Sequence, residues 1–245
     1  MNTITIGKLK KPGYYQDEAY KSLRTNLTFC GKDVKVIALT SSMPNEGKTS
    51  VAINLCRTIA ESGKKVLLID ADMRKSMMVG RYKLAGAKFG LSHYLSGVSE
   101  LKDVLYNTSI ENLFMIVAGP VPPNPSELLS NEVFRSLVNA ARERFDYVII
   151  DCPPIGAVTD AAVVSQVCDG IAFVVMDNAV SYKLAQNIKE QLEMTNCKIL
   201  GVILNKVPIH TGKGYYGKYY GKYYGKYYGK YYGKYYGKEA EGGAN

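Results

Sequence analysis

The chain has 245 residues, 47% of them hydrophobic, which is enough for one domain with a single well-buried core. Its formal net charge is +9, but segment 213–245 holds seven lysines and two glutamates, a local charge of +5 that leaves +4 for the rest. A body of so modest a charge gives no strong case for binding nucleic acid, and we expect no such partner.

Cysteine and histidine usage indicates neither a disulfide framework nor a metal cluster. His93 and His210 are isolated, so no zinc site is expected. The N-terminus lacks the apolar core of a signal peptide, and no apolar run approaches the ~20 residues of a spanning helix. We therefore expect a cytoplasmic protein. The cysteines occur singly, without a CxxC pair, as is typical of buried thiols in a reducing compartment. They are Cys30, Cys56, Cys152, Cys168 and Cys197.

Short apolar runs rich in β-branched residues alternate with helical stretches along the chain. Such runs are typical of strands buried on both faces of a parallel sheet, and we place them at 34–40, 65–70, 113–117, 147–151, 171–176 and 199–204. Helices are predicted at 49–62 and 181–195, and a third begins at Pro125 with Asn124 as its N-cap. The alternation predicts an α/β fold with a doubly wound, mostly parallel sheet.

The stretch VIALTSSMPNEGKTSVAINL places Gly47, Lys48 and Thr49 in a turn between a predicted strand and a predicted helix. In this setting backbone N–H groups curl around phosphates, while the lysine reaches the β- and γ-phosphates and the threonine reaches Mg²⁺. Ser42 stands where GxxxxGK[ST] has its first glycine, and an ordinary strand-turn-helix loop is the alternative. The sheet is therefore predicted to be of P-loop NTPase type, with phosphate-binding candidates Ser42, Met43, Pro44, Asn45, Glu46, Gly47, Lys48, Thr49 and Ser50.

Aspartates follow two other predicted strands. VLLIDADMR places Asp70 and Asp72 at the end of one strand, and YVIIDCPP places Asp151 at the end of another. Ligands of open α/β sheets bind at the carboxyl ends of the strands, so we expect these side chains to meet in one crevice. With Thr49 they would supply hard oxygen ligands for Mg²⁺ and a base for an incoming hydroxyl.

Together these segments resemble the bacterial tyrosine kinases, or BY-kinases, which control capsule and exopolysaccharide synthesis. The resemblance rests on SSMPNEGKTS, VLLIDADMR and VIIDCPP, with GPVPPNPSELL between them and a terminal tyrosine cluster, and it covers nearly the whole chain. In that family the three segments are called Walker A, Walker A′ and Walker B. The resemblance implies an autophosphorylating protein-tyrosine kinase that uses ATP and Mg²⁺ and regulates polysaccharide synthesis and export.

The resemblance also implies roles for individual residues. Lys48 and the loop N–H groups would stabilise charge on the phosphates, and Asp70 would be the base for a tyrosine hydroxyl, a role that Asp72 could share. Spacing alone leaves open which aspartate binds the metal and which accepts the proton. Arg74 is either a phosphate contact or an ordinary surface arginine. Asn205 and Lys206 follow a predicted strand. They either contact adenine or form an ordinary turn.

The segment DEAYKSLRTNLTF has helical spacing, with Glu18, Lys21 and Arg24 on one face and Leu23 and Leu27 offset toward the core. Judged from the residue types alone, this is a charged helix face exposed to solvent. BY-kinases carry the motif ExxRxxR here, and the resemblance implies a homo-oligomeric ring of eight subunits. Lysine replaces the first arginine in this chain, so the ring is either weaker or dependent on Arg24 alone, because lysine cannot make a bidentate contact.

The chain closes with six YYGK units at 215–238, which predict a disordered tail. We therefore divide the chain into an N-terminal segment with the oligomerisation helix (1–32), a P-loop kinase domain (33–210) and the tail (211–245). The resemblance implies further partners: a transmembrane adaptor that recruits the protein to the inner face of the membrane, other tyrosine substrates and a cognate phosphatase. The implied phospho-acceptors are Tyr215, Tyr216, Tyr219, Tyr220, Tyr223, Tyr224, Tyr227, Tyr228, Tyr231, Tyr232, Tyr235 and Tyr236.

The alternative function is that of a P-loop ATPase switch, of the type that positions division sites or partitions plasmids, without kinase activity. Those proteins usually carry a second lysine early in the loop, where this chain has Met43. They also offer no use for twelve clustered tyrosines. Agreement between independent segments favours the kinase.

Overall fold

The computed structural model of the chain describes residues 2–208, so His210 and the tyrosine-rich tail lie outside the described residues. No helix within 2–208 is both long and apolar enough to cross a bilayer. The strands are β1 (Thr3–Ile6), β2 (Val36–Ser41), β3 (Val66–Asp70), β4 (Leu84–Ala85), β5 (Tyr106–Thr108), β6 (Leu113–Ile116), β7 (Tyr147–Asp151), β8 (Gly170–Met176) and β9 (Ile199–Asn205). The helices are α1 (Tyr14–Phe29), α2 (Lys48–Glu61), α3 (Met78–Tyr82), α4 (Leu91–Leu95), α5 (Leu101–Val104), α6 (Pro125–Ser130), α7 (Glu132–Arg144), α8 (Asp160–Ser165) and α9 (Tyr182–Glu193).

The described strands form a sheet in the order β4-β1-β5-β6-β3-β7-β2-β8-β9. Every neighbouring pair from β6 to β9 is parallel. Antiparallel pairs, β1 with β4 and β5 with β6, lie toward the other edge. The predicted α/β fold with a mostly parallel sheet is confirmed, and the six predicted strands each form within two residues of the expected bounds.

The two faces of the sheet are covered by different helices. In β2, Val36 and Ala38 face one apolar cluster, and Ile37 and Leu39 face the other, as the two-residue period of a strand requires. Helices α4 to α9 pack on the first face and α1 to α3 on the second. The expectation of burial on both faces is wrong for β9, where Val202 is 65% exposed, because β9 is the last strand of the sheet.

The N-terminal segment, predicted to end at residue 32, packs against the elements that follow it. β1 pairs with β4 and β5 in the sheet, and α1 lies against α2. The described residues up to Lys206 belong to one compact unit. Within α1, Leu27 is buried and Leu23 packs against the same apolar cluster, as the helical spacing predicts.

The sheet brings three strand ends together. β7 lies between β2 and β3, with Asp151 opposite Leu39 on one side and Asp70 on the other. Because these strands are parallel, their carboxyl ends meet at the same edge of the sheet. At that edge β2 continues into the loop that precedes α2.

Candidate active site

The loop between β2 and α2 is built around the buried carboxylate of Glu46, which is only 3% exposed. Its oxygens accept hydrogen bonds from the Ser42 hydroxyl at 2.7 Å and from the backbone N–H of Met43 at 2.8 Å. Asn45 and Gly47 turn the chain in left-handed conformations, with φ of 69° and 93°. Ser42 therefore replaces the first glycine of the pattern with a hydroxyl that closes the loop through Glu46.

The end of β9 supports the same loop. The side-chain amide of Asn205 donates to the carbonyl oxygen of Glu46 at 2.8 Å, and Lys206 Nζ donates to that of Asn45 at 2.6 Å. Gly47 has φ of 93°, and a Cβ atom there would lie 2.2 Å from Asn205 Nδ2, so another side chain would be strained and would displace the Asn205 amide. Asn205 and Lys206 thus hold the loop in shape, and their contact with adenine stays a prediction.

Lys48, the first residue of α2, meets the strand-end aspartates in a buried cluster. Its Nζ lies 2.8 Å from Asp151 Oδ1 and 3.8 Å from Asp72 Oδ2. Asp70 and Asp151 are each 1% exposed. The Asp70 carboxylate accepts hydrogen bonds from the Ser76 hydroxyl and from the backbone N–H of Asp72. The structure therefore brings together the lysine and the three aspartates that the sequence selected.

Burial and close charges shift the proton affinities of this cluster. The pKa of Asp70 is raised from 3.8 to about 7, first by burial and then by the neighbouring Asp151 carboxylate. Burial alone would lower the pKa of Lys48, but Asp151, with Asp72 and Asp70, raises it above its ordinary value. Lys48 is therefore a cation, while Asp70 can exchange a proton near neutral pH.

The donor set suits a divalent cation that is bound together with phosphates. Asp151 Oδ2 is buried without a hydrogen-bond partner within the described residues, and one lysine faces three carboxylates. No group of three His, Cys, Asp or Glu side chains within 2–208 could hold a metal on its own. Mg²⁺ usually takes one or two carboxylates and completes its shell with phosphate oxygens and water. The residues present fit Mg²⁺ in that mode, with Thr49 in the first turn of α2.

Arg74 is held by a fully buried carboxylate. Its Nε and Nη2 donate to the two oxygens of Asp160 at 2.7 and 2.9 Å, and Nη2 also donates to the Ser126 hydroxyl at 2.9 Å. Asp160 is 0% exposed, and its pKa is lowered because Arg74 and Ser126 outweigh the effect of burial. Arg74 therefore links the segment after β3 to the first turns of α6 and α8.

Sequence reasoning missed the residues that support the site. Asp160 and Ser126 begin short helices and read as ordinary helix-start residues, and Ser76 has no motif around it. Gly156 was also missed, although a Cβ atom there would lie 2.4 Å from the carbonyl oxygen of Ser42. Some of these residues are distant in sequence from the residue they support, and others lack a local sequence pattern. Their role in the site is therefore visible only in the folded structure.

The predicted oligomerisation residues lie on α1, away from these aspartates in sequence. Lys21 Nζ is 2.8 Å from Glu18 Oε1 and 3.0 Å from Asp17 Oδ2. Arg24 Nη1 donates to the carbonyl oxygen of Thr58 in α2 at 2.9 Å. The helix forms as predicted, and its charged face makes these contacts within one chain; the contact between subunits stays a prediction.

Comparison with known proteins identifies the family. A family model described as an AAA domain matches residues 34–177. Tyrosine-protein kinase CpsD of Streptococcus agalactiae is 42% identical over 206 residues, which cover 82% of this chain and 90% of that protein. The chain belongs to the bacterial tyrosine-protein kinases. The kinase therefore has the fold and the family that its Walker-type segments predict.

Solved structures agree with this assignment. The chimerical protein CapA2B2 has a TM-score of 0.77 and 34% identity, covering 83% of the kinase and 93% of that chain. The kinase domain of the Escherichia coli tyrosine kinase ETK has a TM-score of 0.76 and 33% identity, covering 85% of each chain. MinD of Pyrococcus horikoshii, with a TM-score of 0.62 and 23% identity, shares the fold alone. MinD is thus less similar to the kinase than the two tyrosine-kinase structures are.

Proposed function

We propose that the kinase transfers the γ-phosphate of ATP to the tyrosines at 215–236 of its own chain and to tyrosines of other proteins. The observation that carries the proposal is the buried cluster of Lys48, Asp151 and Asp70 at the start of α2. It places a cation and an exchangeable carboxylate beside a loop whose shape suits phosphates. The tyrosine-rich tail supplies acceptors within the same molecule.

Each residue of the cluster has a task in this transfer. The loop N–H groups and Lys48 stabilise charge on the β- and γ-phosphates, and Asp70 accepts the proton of the tyrosine hydroxyl. Its pKa of about 7 suits a general base at neutral pH, and Asp72 is the alternative base. Thr49 and the aspartates, with Asp151 among them, would hold Mg²⁺, which when bound neutralises phosphate charge. Arg74, oriented by Asp160, is available to a phosphate oxygen near Asp72.

Transfer of label from γ-labelled ATP distinguishes the kinase from the ATPase switch. We expect labelled tyrosine in the wild type, and none in Lys48→Met. Lys102→Met is the matched control, because Lys102 lies in an exposed ion pair with Glu100 at 2.7 Å. It should label like the wild type. ATP hydrolysis without tyrosine labelling in the wild type would instead support the switch.

We further propose that neighbouring subunits phosphorylate each other's tails within a ring formed through Glu18, Lys21 and Arg24. Mixing a Lys48→Met chain with an active chain that lacks residues 211–245 tests this, since only the inactive chain then carries the acceptors of the tail. Label on the inactive chain is the expected result, and its absence would show that transfer occurs within one chain. A transmembrane adaptor would place the kinase at the inner face of the membrane, and a phosphatase would reverse the reaction.

The tail then acts as a graded charge switch in polysaccharide synthesis and export. Each phosphotyrosine adds about −1.5 to −2, so roughly three phosphates cancel the local charge of +5. Unphosphorylated tails would hold the ring together, and heavily phosphorylated tails would repel one another. Sedimentation should show a large assembly after phosphatase treatment and smaller species after Mg-ATP.

A further inference from the structure

The first turn of α1 repeats the local sequence of the tail. The tripeptide at 13–15, Gly-Tyr-Tyr, is the same as the one at 214–216 that opens the repeat. Lysines precede both copies, at positions 10 and 11 in the first case and at position 213 in the second. If the kinase recognises the tail by this pattern, Tyr14 and Tyr15 offer the same chemistry.

Tyr14 and Tyr15 are also accessible. Their exposed fractions are 76% and 63%, and the two rings contact each other edge to face, with centroids 5.6 Å apart. Tyr82 and Tyr106 are 6% and 0% exposed. Among the tyrosines of 2–208 whose side chains the structure describes, the exposed ones are Tyr14 and Tyr15.

The backbone around this pair opens at low cost. The N-cap of α1 is Gly13, and no side-chain hydrogen bond caps the helix there. Pro12 precedes the cap and favours extended backbone before it. The first turn can therefore unwind and present either tyrosine hydroxyl to an active site. Tyr20, further along α1, is partly buried, and this burial raises its pKa to about 12.

We propose that Tyr14 and Tyr15 are a second phospho-acceptor site of this kinase, an inference that rests on the proposed function. The phenolic oxygen attacks the γ-phosphorus of ATP, and its new O–P bond forms as the bond to the bridging oxygen of the leaving ADP breaks. The phenolic proton passes to the aspartate base, and the products are phosphotyrosine and ADP. Each phosphate adds about −1.5 to −2 one turn before Asp17 and Glu18, on the helix that carries the predicted ring contact.

Phosphopeptide mapping of the full chain after incubation with Mg-ATP tests the proposal. One arm uses the wild type, and a second uses a chain in which all twelve tail tyrosines are replaced by phenylalanine. We expect phosphate on Tyr14 and Tyr15 in both arms, and none on Tyr20, the matched control on the same helix. Adding Tyr14→Phe and Tyr15→Phe to the second chain should remove the remaining label, while circular dichroism shows an intact fold.

The outcomes separate this proposal from the proposed function. Phosphate on the tail of the wild type, with none on Tyr14 or Tyr15 in either arm, overturns the second site and leaves the kinase activity standing. Label on Tyr20 equal to that on Tyr14 contradicts selection by exposure and sequence, and so contradicts the proposal. A wild type without any phosphotyrosine defeats both.

Discussion

Two lysine–carboxylate pairs in this kinase have the same separation in different surroundings. Lys48 Nζ and Asp151 Oδ1 are 2.8 Å apart with side chains 7% and 1% exposed, whereas Lys21 Nζ and Glu18 Oε1 are 2.8 Å apart with side chains 45% and 44% exposed. Hydrogen bonds to Glu18 and Asp17 raise the pKa of Lys21 to about 12, while Asp151 raises that of Lys48 against the effect of burial.

The comparison shows that burial, rather than distance, decides what a charge pair does. Water solvates the exposed pair on α1, so that pair contributes little to stability and remains available to a partner. The buried pair is shielded from water, so its field acts on whatever enters the crevice. The first pair suits recognition, and the second suits chemistry.

The largest difference should come from removing one carboxylate of each pair. Asp151→Asn should lower phosphate transfer to a free peptide with two YYGK units by at least about 100-fold, because it removes the negative charge that pairs with Lys48 and that would hold the metal. Glu18→Gln, at the same distance from its lysine, should leave transfer to the peptide unchanged, since the peptide does not depend on the ring. Equal losses in both variants would show that burial is not the deciding factor.

A second comparison concerns the two arginine pairs. Asp160→Asn should lower the free energy of unfolding by about 2 kcal/mol, because Arg74 loses a charged hydrogen-bond partner inside the protein. Glu132→Gln, which removes an exposed partner of Arg135 at 3.5 Å, should change it by less than about 0.5 kcal/mol. Urea unfolding measures both. Similar values for the two variants would mean that Asp160 does not hold Arg74 in solution.

The raised pKa of Asp70 predicts a pH-dependent stability in metal-free buffer. Between its ordinary pKa of 3.8 and its folded pKa of about 7, the folded chain keeps a proton that the unfolded chain has released. The free energy of unfolding therefore falls as pH rises through this interval, and this contribution levels off above it. Asp70→Asn lacks the effect, so its advantage over the wild type should grow with pH and then stay constant. Urea titrations with parallel pH profiles for the two proteins would contradict the assignment.

The smallest effect on the isolated chain should come from Lys21→Arg. An arginine can form a bidentate contact across a subunit interface, so this variant should sediment as a larger assembly at equal concentration. Its free energy of unfolding as a monomer should stay close to that of the wild type, because the pair with Glu18 is exposed. Unchanged sedimentation would mean that Arg24 alone carries the contact.

The central strands and the buried cluster of Lys48 and the aspartates could be predicted because local patterns encode them. Continuous apolar runs mark β2, β3 and β7, and parallel strands bring their carboxyl ends together, so aspartates at those ends had to meet. The α7 helix was missed although a signal existed: Asn131 precedes it, and its side chain accepts the N–H of Phe134.

Other features depend on contacts that no local pattern reports. β4 has two residues and β5 has three, so their pairing with neighbours, not propensity, makes them strands. Asp160 is 86 residues from Arg74, and its role follows only from the packing of α8 beside the end of β3. Glu46 occupies a position of the phosphate-binding motif where any residue is allowed. The sequence therefore carries no sign that its side chain points inward and accepts hydrogen bonds from Ser42 and Met43.

The central claim is that the buried cluster phosphorylates the tyrosines of its own chain, and intact-mass measurement after incubation with Mg-ATP tests it most directly. The wild type should show a ladder of added phosphates that map to the tyrosines at 215–236, and Lys48→Met alone should keep a single unchanged mass. A wild type that consumes ATP while its mass stays unchanged would contradict the account.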